Sequence, residues 1–197
     1  MLTFRDGDEL CPFNVTIRDQ DLFASGAEVL VNAANSELRL TGNGGINAAI
    51  LQRGGLDYQA AHQHLQNIYR KHFPSGASAL LPSGDLQRIG VSHIAVVAGP
   101  FYQGNITDSD RNALYSCYYN SLLLAHDAGK ESIAFSSIST GIYHFPKPEA
   151  ARISTWALLD FIQAHPDSPL RTISIHCLGV DDATHLPNSN FYLPPST

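Results

Sequence analysis

The chain has 197 residues, 44% of them hydrophobic and 15% charged, a composition typical of one globular domain rather than a disordered or fibrous protein. Its net charge of -6 argues against a protein that holds long nucleic acid through basic side chains, but backbone amides could still bind a small phosphorylated ligand. Three widely spaced cysteines predict neither a disulfide framework nor a structural metal site, and no apolar run approaches the roughly 20 residues that span a bilayer. We therefore expect a cytoplasmic protein that makes no membrane contact.

The first half of the chain alternates short apolar runs with amphipathic segments. A run with an apolar interior, residues 28–32, is typical of a strand that is buried on both faces. Gly99-Pro100 marks the end of another strand. We predict strands at residues 13–18, 28–32, 77–81 and 93–98, and helices at residues 46–52 and 57–72.

The second half continues this alternation. We predict helices at residues 110–127 and 149–165, with Gly129 after the first and Pro148 near the start of the second, and strands at residues 132–136 and 172–178. Residues 186–197, rich in Pro, Asn and Ser, are expected to form a surface tail. The pattern predicts one α/β domain, with a core at about residues 13–180 and a largely parallel sheet covered on both faces. In such sheets ligands bind beyond the carboxyl ends of the strands.

A glycine-rich segment, Gly42-Asn43-Gly44-Gly45, leads directly into a predicted helix. Backbone N–H groups and the positive helix end can hold a phosphate there without cationic side chains. The alternative is a flexible connector that needs glycine only for its backbone angles. Asn47 stands where Gly or Ala should close the dinucleotide-binding pattern, so a nicotinamide-dependent oxidoreductase is only a remote alternative.

A second small-residue loop, Ser139-Thr140-Gly141-Ile142-Tyr143, follows another predicted strand. Two amide-rich loops at one sheet edge could grip a diphosphate. The alternative is a plain strand-to-helix turn, which would require Gly141 but would give no reason for Tyr143.

Two asparagines, Asn32 and Asn35, stand at the end of a strand predicted to be buried, so their side chains must find partners. One of them could orient a ligand hydroxyl. Alternatively both cap local turns, a reading that is reasonable for Asn32.

The histidines give weaker signals. His62 and His64 are two residues apart on a predicted helix, so they face different directions and make a poor metal pair. His176 and Cys177 lie on a predicted buried strand, where we expect a neutral packed pair.

Four motifs together resemble the macro domain in their order and approximate spacing. They are Val31-Asn32-Ala33-Ala34-Asn35, Gly44-Gly45-Ile46, Ala98-Gly99-Pro100, and Ser132-Ile133-Ala134-Phe135 running on to Ile138-Ser139-Thr140-Gly141-Ile142-Tyr143. The resemblance covers roughly residues 15–178. It implies a three-layer α/β/α fold with a mixed, mostly parallel central sheet, and it implies binding of ADP-ribose. It further implies an activity that many members of the family have, which is either removal of ADP-ribose from modified proteins or deacetylation of O-acetyl-ADP-ribose.

The resemblance also implies a role for individual residues. Asp21 matches the aspartate that accepts a hydrogen bond from the adenine amino group, whereas Asp19 falls two residues early. Asn35 matches the asparagine at the distal ribose, and Tyr143 supplies the ring beside that ribose. The ligand-binding residues implied are Asp21, Leu22, Asn35, Gly44, Gly45, Ile46, Asn47, Ser139, Thr140, Gly141, Ile142 and Tyr143, and the catalytic candidates among them are Asn35, Asn47 and Tyr143.

The chain departs from the family pattern in three places. The first loop is longer than usual between Asn35 and Gly44, and Asn43 interrupts its glycine run. Asn47 replaces an aspartate of the hydrolytic branch, and an amide cannot act as a general base. Leu178 stands where many members offer an aromatic ring to adenine.

Two functions therefore stay open. One is binding of free or protein-linked ADP-ribose, and the other is slow hydrolysis of the mono-ADP-ribose linkage to protein, with O-acetyl-ADP-ribose deacetylation as a further alternative. If the chain hydrolyses the mono-ADP-ribose linkage slowly, Asn47→Asp is expected to raise the rate of hydrolysis. The expected partners are ADP-ribose or a mono-ADP-ribosylated protein, with no cofactor and no metal.

Overall fold

The computed structural model describes residues 2–6, 9–40, 44–70 and 72–177. Seven strands in this part of the chain form one sheet. They are β1 (Leu2–Asp6), β2 (Glu9–Arg18), β3 (Val29–Ala34), β4 (Ser78–Pro82), β5 (His93–Ala98), β6 (Ser132–Ser136) and β7 (Thr172–His176). Their order across the sheet is β1-β2-β7-β6-β3-β5-β4.

Parallel pairing dominates the sheet. The strands β2, β7, β6, β3 and β5 run parallel to one another, whereas β1 and β4 are antiparallel at the two edges. The central strands β3 and β5 consist almost wholly of buried apolar residues, as expected for strands that are covered on both faces. The prediction of a mixed, mostly parallel sheet is confirmed.

Helices cover both faces of the sheet. The helices are α1 (Gly45–Arg53), α2 (Gly55–Ile68), α3 (Asp108–Asp127) and α4 (Lys147–Ala164), with short 3-10 helices at Leu22–Ala24 and Gly84–Ile89. Successive strand residues point to opposite faces, so Leu30 packs with α1 and α2, whereas Val29 and Val31 pack with α3 and α4. This arrangement is the predicted three-layer α/β/α fold.

Several boundaries differ from the prediction. The strand predicted from residue 28 to 32 continues through Ala34, and β2 begins at Glu9 rather than at residue 13. Helix α2 ends at Ile68 rather than residue 72, because Arg70 adopts a left-handed backbone with φ of 50°. The strand β1 and both 3-10 helices were not predicted. Leu178 and the predicted tail at residues 186–197 lie outside the described residues.

The predicted glycine after α3 and proline at the start of α4 are confirmed. Gly129, with φ of 64°, directly follows α3 and its cap residue, and Pro148 lies in the first turn of α4. In the described segments, no helix is both long and apolar enough to cross a membrane. Nor do those segments contain a group of three or more His, Cys, Asp or Glu residues that could hold a metal ion.

The histidines on α2 face opposite ways, as predicted. His62 is fully buried, and neither ring nitrogen has a hydrogen-bond partner among the described residues, whereas His64 is exposed. Burial lowers the pKa of His62 to about 4. His176 is also buried, and burial lowers its pKa too, so it is the neutral residue that was expected.

We predict that His62 makes the fold sensitive to acid. Its pKa rises from about 4 in the folded chain to 6.5 on unfolding, so the unfolded state binds the extra proton and stability falls as the pH drops below 6.5. In denaturant titrations, His62→Leu should lose less unfolding free energy between pH 7 and pH 5 than the wild type, by about 1–2 kcal/mol. His64→Leu is the matched control, and it should behave as wild type. Equal losses in wild type and His62→Leu would contradict the prediction.

Candidate functional site

The loops that carry the predicted site residues lie where the parallel strands end. Because β2, β3, β5 and β6 are parallel, their carboxyl ends lie on the same side of the sheet. Asp21 follows β2, Asn35 follows β3, and Ser139 follows β6. We call the described residues 35–40 and 44–47 the first loop region and residues 137–145 the second loop.

The first loop region contains two glycines at positions where the backbone angles exclude other residues. Gly44 and Gly45 have φ of 104° and 71°, a region that L side chains rarely adopt. Gly44 precedes α1 and offers no side-chain cap. Among the residues that the structure describes, no side chain caps the first N–H groups of α1, so these groups could bind an anion.

Side chains of the second loop lie directly against Gly99, just after β5. A Cβ on Gly99 would lie 2.1 Å from the Oγ of Ser139 and 2.9 Å from the Cγ2 of Ile138, so these side chains leave no room for one. Ser139 has φ of 64°, and its buried Oγ has no partner among the described residues. Its carbonyl accepts a hydrogen bond from the Phe145 N–H at 2.9 Å, and the Gly141 carbonyl accepts one from the His144 N–H at 2.9 Å. These bonds hold the loop as a compact turn.

The two loops contact each other through Ile142 and Tyr143. A Cβ on Gly45 would lie 3.4 Å from the Cδ1 of Ile142. Burial raises the pKa of Tyr143, and the backbone N–H of Ser36, which faces its hydroxyl, lowers it. Tyr143 therefore links the second loop to the first loop region.

A third loop, after β5, also contacts Tyr143. The Tyr102 N–H donates to the Tyr143 carbonyl at 3.1 Å, and the rings of Phe101 and Tyr143 pack edge to face with centroids 5.1 Å apart. Sequence reasoning missed Phe101 and Tyr102. The only nearby signal was the Gly99-Pro100 stop, which marks the loop without indicating its contacts.

Asn35 caps a turn, the role that was considered reasonable for Asn32. Its Oδ1 accepts hydrogen bonds from the N–H groups of Glu37 and Arg39 at 3.1 and 3.2 Å. Within the described part of the chain its Nδ2 makes no hydrogen bond to protein. That half-buried amide donor therefore stays available to a ligand.

Asn47 faces the protein interior. It is 7% exposed, and its Oδ1 accepts a hydrogen bond from the Nδ2 of Asn32 at 2.9 Å. Its own Nδ2 faces the carbonyl of Arg39 at 3.4 Å. Asn32 also donates to the hydroxyl of Tyr58 at 3.0 Å, so it pairs with side chains rather than capping a local turn. The structure places Asn47 under the first loop region, with its amide committed to protein partners.

Asp21 lies at the start of the 3-10 helix Leu22–Ala24. Its Oδ1 accepts from the Phe23 N–H at 3.1 Å, and its Oδ2 lies 3.6 Å from an Arg53 guanidinium nitrogen. Arg53 also lies over the Phe23 ring, 3.9 Å from its centroid. Sequence reasoning missed Arg53, whose only signal was a basic residue in the last turn of a short helix. The Leu22 side chain is buried in the core, so only its backbone is available at this edge.

Two further predicted residues support the loops rather than facing the ligand position. Ile46, in the first turn of α1, is half-buried and packs against the core. The hydroxyl of Thr140 donates to the Ser137 carbonyl at 3.1 Å, which stabilises the second loop.

Sequence comparisons agree with the motifs. A family model described as the Macro domain matches residues 31–154. A macro domain-containing protein of Streptomyces griseus is 41% identical over 141 residues, which is 71% of this chain and 75% of that protein. A macro domain-containing protein of Listeria monocytogenes is 35% identical over 165 residues, which is 83% of this chain and 89% of that protein.

Solved structures have the same architecture. An Oceanobacillus iheyensis macrodomain with ADP superposes with a TM-score of 0.78 at 26% identity, covering 93% of this chain and 91% of that one. A Trypanosoma brucei macrodomain in complex with ADP-ribose superposes with a TM-score of 0.69, covering 87% of this chain and 66% of that one. Its 23% identity makes it a match of fold alone.

We predict that Asn47→Asp destabilises the chain at neutral pH. A carboxylate keeps the bond from Asn32 but turns an oxygen toward the Arg39 carbonyl, at an expected cost of about 1–3 kcal/mol in unfolding free energy at pH 7. A protonated aspartate can still donate to that carbonyl. Folding should therefore favour the neutral acid, so the cost should shrink as the pH falls toward the ordinary carboxyl pKa of about 4.

Denaturant titrations at pH 7 and pH 4.5 measure this difference against wild type at the same pH. Asn112→Asp, at an exposed position on α3, is the matched control and should change stability little at either pH. An Asn47→Asp variant as stable as wild type at pH 7 would show that the amide does not donate to Arg39.

Proposed function

Since this chain belongs to the macro domain family, we propose that it binds ADP-ribose, free or linked to a protein side chain, where its two loops meet. The observation that carries the proposal is the closeness of Gly45 and Ile142, where a Cβ added to Gly45 would lie 3.4 Å from the Ile142 side chain, so the start of α1 lies beside the second loop. The solved relative from Oceanobacillus iheyensis, which holds ADP, supports a ligand with a diphosphate.

The diphosphate would be bound by backbone amides. Residues 44–46 present the start of α1, and residues 139–142 present a compact turn facing it. The basic side chains nearby have acidic neighbours, because Arg39 pairs with Glu37 at 2.5 Å and Arg53 lies near Asp21. Neutral donors on a rigid backbone explain how a chain of net charge -6 can hold an anion.

The two ends of the ligand would be bound by side chains. The Oδ1 of Asp21 accepts from Phe23, and its Oδ2, which lies 3.6 Å from an Arg53 nitrogen, would also accept from the adenine amino group. At the other end, the free Nδ2 of Asn35 would donate to a hydroxyl of the distal ribose, beside the Tyr143 ring.

Binding is favoured over rapid hydrolysis. Asn47 faces the interior, so its placement does not support the expectation that an aspartate there would activate water. Hydrolysis of the mono-ADP-ribose linkage is the second candidate, because Asn35 could fix the ribose while a substrate phosphate oxygen helps to activate water. Deacetylation of O-acetyl-ADP-ribose would need water to be activated in the same way. A single-turnover assay on a mono-ADP-ribosylated protein separates these reactions from binding.

The proposed partners are ADP-ribose and mono-ADP-ribosylated proteins. We propose a cytoplasmic location from the cysteine content alone.

We predict that free ADP-ribose binds one site per chain and that Asp21→Ala weakens it about ten- to a hundredfold. The variant removes the acceptor for the adenine amino group, but it also removes the cap on Phe23. Asp21→Asn separates these effects, because its oxygen can keep the cap while its NH2 group faces the adenine amino group. Calorimetry should therefore show both variants weakened.

Asp19→Ala is the control, and it should bind ADP-ribose as wild type does. If Asp21→Asn keeps full affinity, Asp21 does not contact adenine. If wild type itself takes up no ADP-ribose, the proposed function is wrong.

A further inference from the structure

Three buried polar side chains form a continuous hydrogen-bond chain beneath the first loop region. Asn47 lies on α1, Asn32 on β3 and Tyr58 on α2, and they are 7%, 0% and 0% exposed. Asn32 donates to Asn47 at 2.9 Å and to the Tyr58 hydroxyl at 3.0 Å. The chain thus joins the central strand to two helices.

The direction of these bonds follows from one carbonyl. The Asn47 Nδ2 faces the Arg39 carbonyl, so the Asn47 oxygen must point to Asn32. Asn32 therefore presents its NH2 group, and each of its two hydrogens has an acceptor. Rotating either amide by half a turn would set oxygen against oxygen or NH2 against NH2. The Arg39 carbonyl thus orients Asn47, Asn47 orients Asn32, and the Tyr58 hydroxyl accepts the second hydrogen of the Asn32 NH2 group.

Few side chains are buried at this end of α1. The buried residues of α1 are Asn47, Ile50 and Leu51, and in the half that follows Gly44 the half-buried Ile46 also packs against the core. The same half carries the N–H groups that face the second loop. The position of this half therefore depends on the hydrogen bonds of the Asn47 amide as well as on the packing of Ile46.

We propose that Asn32 and Tyr58 are positioning residues for the ligand site. They hold Asn47, and through it the Arg39 carbonyl and the start of α1, in the arrangement that presents backbone amides to the ligand. Neither residue contacts the ligand. The proposal rests on the proposed function for the identity of that ligand, but the positioning can also be measured in the free chain.

The test removes one oxygen atom with Tyr58→Phe. In the free chain, hydrogen exchange should become faster at the amides of residues 38–40 and 45–47, because Asn32 has lost one acceptor. ADP-ribose affinity, measured by calorimetry well below the unfolding temperature, should fall about three- to tenfold.

Two comparisons separate positioning from general stability. Leu65→Ala removes a buried side chain from the same helix but outside the network, so it should lower the unfolding temperature while leaving the affinity unchanged. In an Asn47→Ala background, Tyr58→Phe should cause no further loss of affinity, because its effect passes through Asn47.

The outcomes are distinct. Equal losses of affinity in Tyr58→Phe and Leu65→Ala would overturn the positioning role. The role would also be overturned if the variant carrying both Tyr58→Phe and Asn47→Ala lost affinity by the product of the two single-variant factors. Unchanged exchange at residues 38–40 and 45–47 would overturn it as well. If wild type binds no ADP-ribose, the proposed function fails, and the exchange measurement still decides whether Tyr58 positions the loop.

Discussion

The parallel pairing of β3 with β5 is the constraint on which the site depends. The two strands pair from Val29 with His93 through to Ala34 with Ala98, so both end at the same level. The next residues, Asn35 and Gly99, therefore start their loops side by side. A slip of one residue would exchange the two faces of β3 and take Asn32 away from the side chains to which it donates, which fixes this register.

Each loop is then held by contacts that need particular small or aromatic residues. Gly99 lets Ser139 approach the end of β5, and Gly45 allows the positive φ with which α1 begins. Tyr143 joins three loops through its hydroxyl, its carbonyl and its ring. The two loops therefore form one preorganised surface, and preorganised donors bind an anion at less entropic cost than mobile side chains.

Much of the fold could be predicted from local patterns. The strands at residues 93–98 and 132–136 were predicted with their observed bounds, because apolar runs between polar or glycine residues mark buried strands clearly. Glycine marked the end of α3 for a similarly local reason. The prediction placed the end of α2 too far along the chain. The left-handed backbone of Arg70, which ends the helix, has no sequence signal comparable to a glycine.

The site was predicted less completely, because its decisive contacts join residues far apart in sequence. The motifs identified both loops and both asparagines, but the roles of Asn32 and Asn35 depend on Asn47, Tyr58 and the turn at Glu37. Tyr58 was expected on the apolar face of a helix, yet nothing in the sequence shows that its hydroxyl meets β3. The inward direction of Asn47 likewise follows from the Arg39 carbonyl.

The central claim is that backbone amides of the two loops hold the ligand. Titration of ADP-ribose into the 15N-labelled chain, followed by amide NMR shifts, tests it most directly. The largest shifts should fall on the amides of residues 45–47 and 139–143, with smaller ones near Asp21. Largest shifts elsewhere, for example along the 380 Å³ cavity beside β2 that Thr16 and Arg18 help to line, would contradict the account.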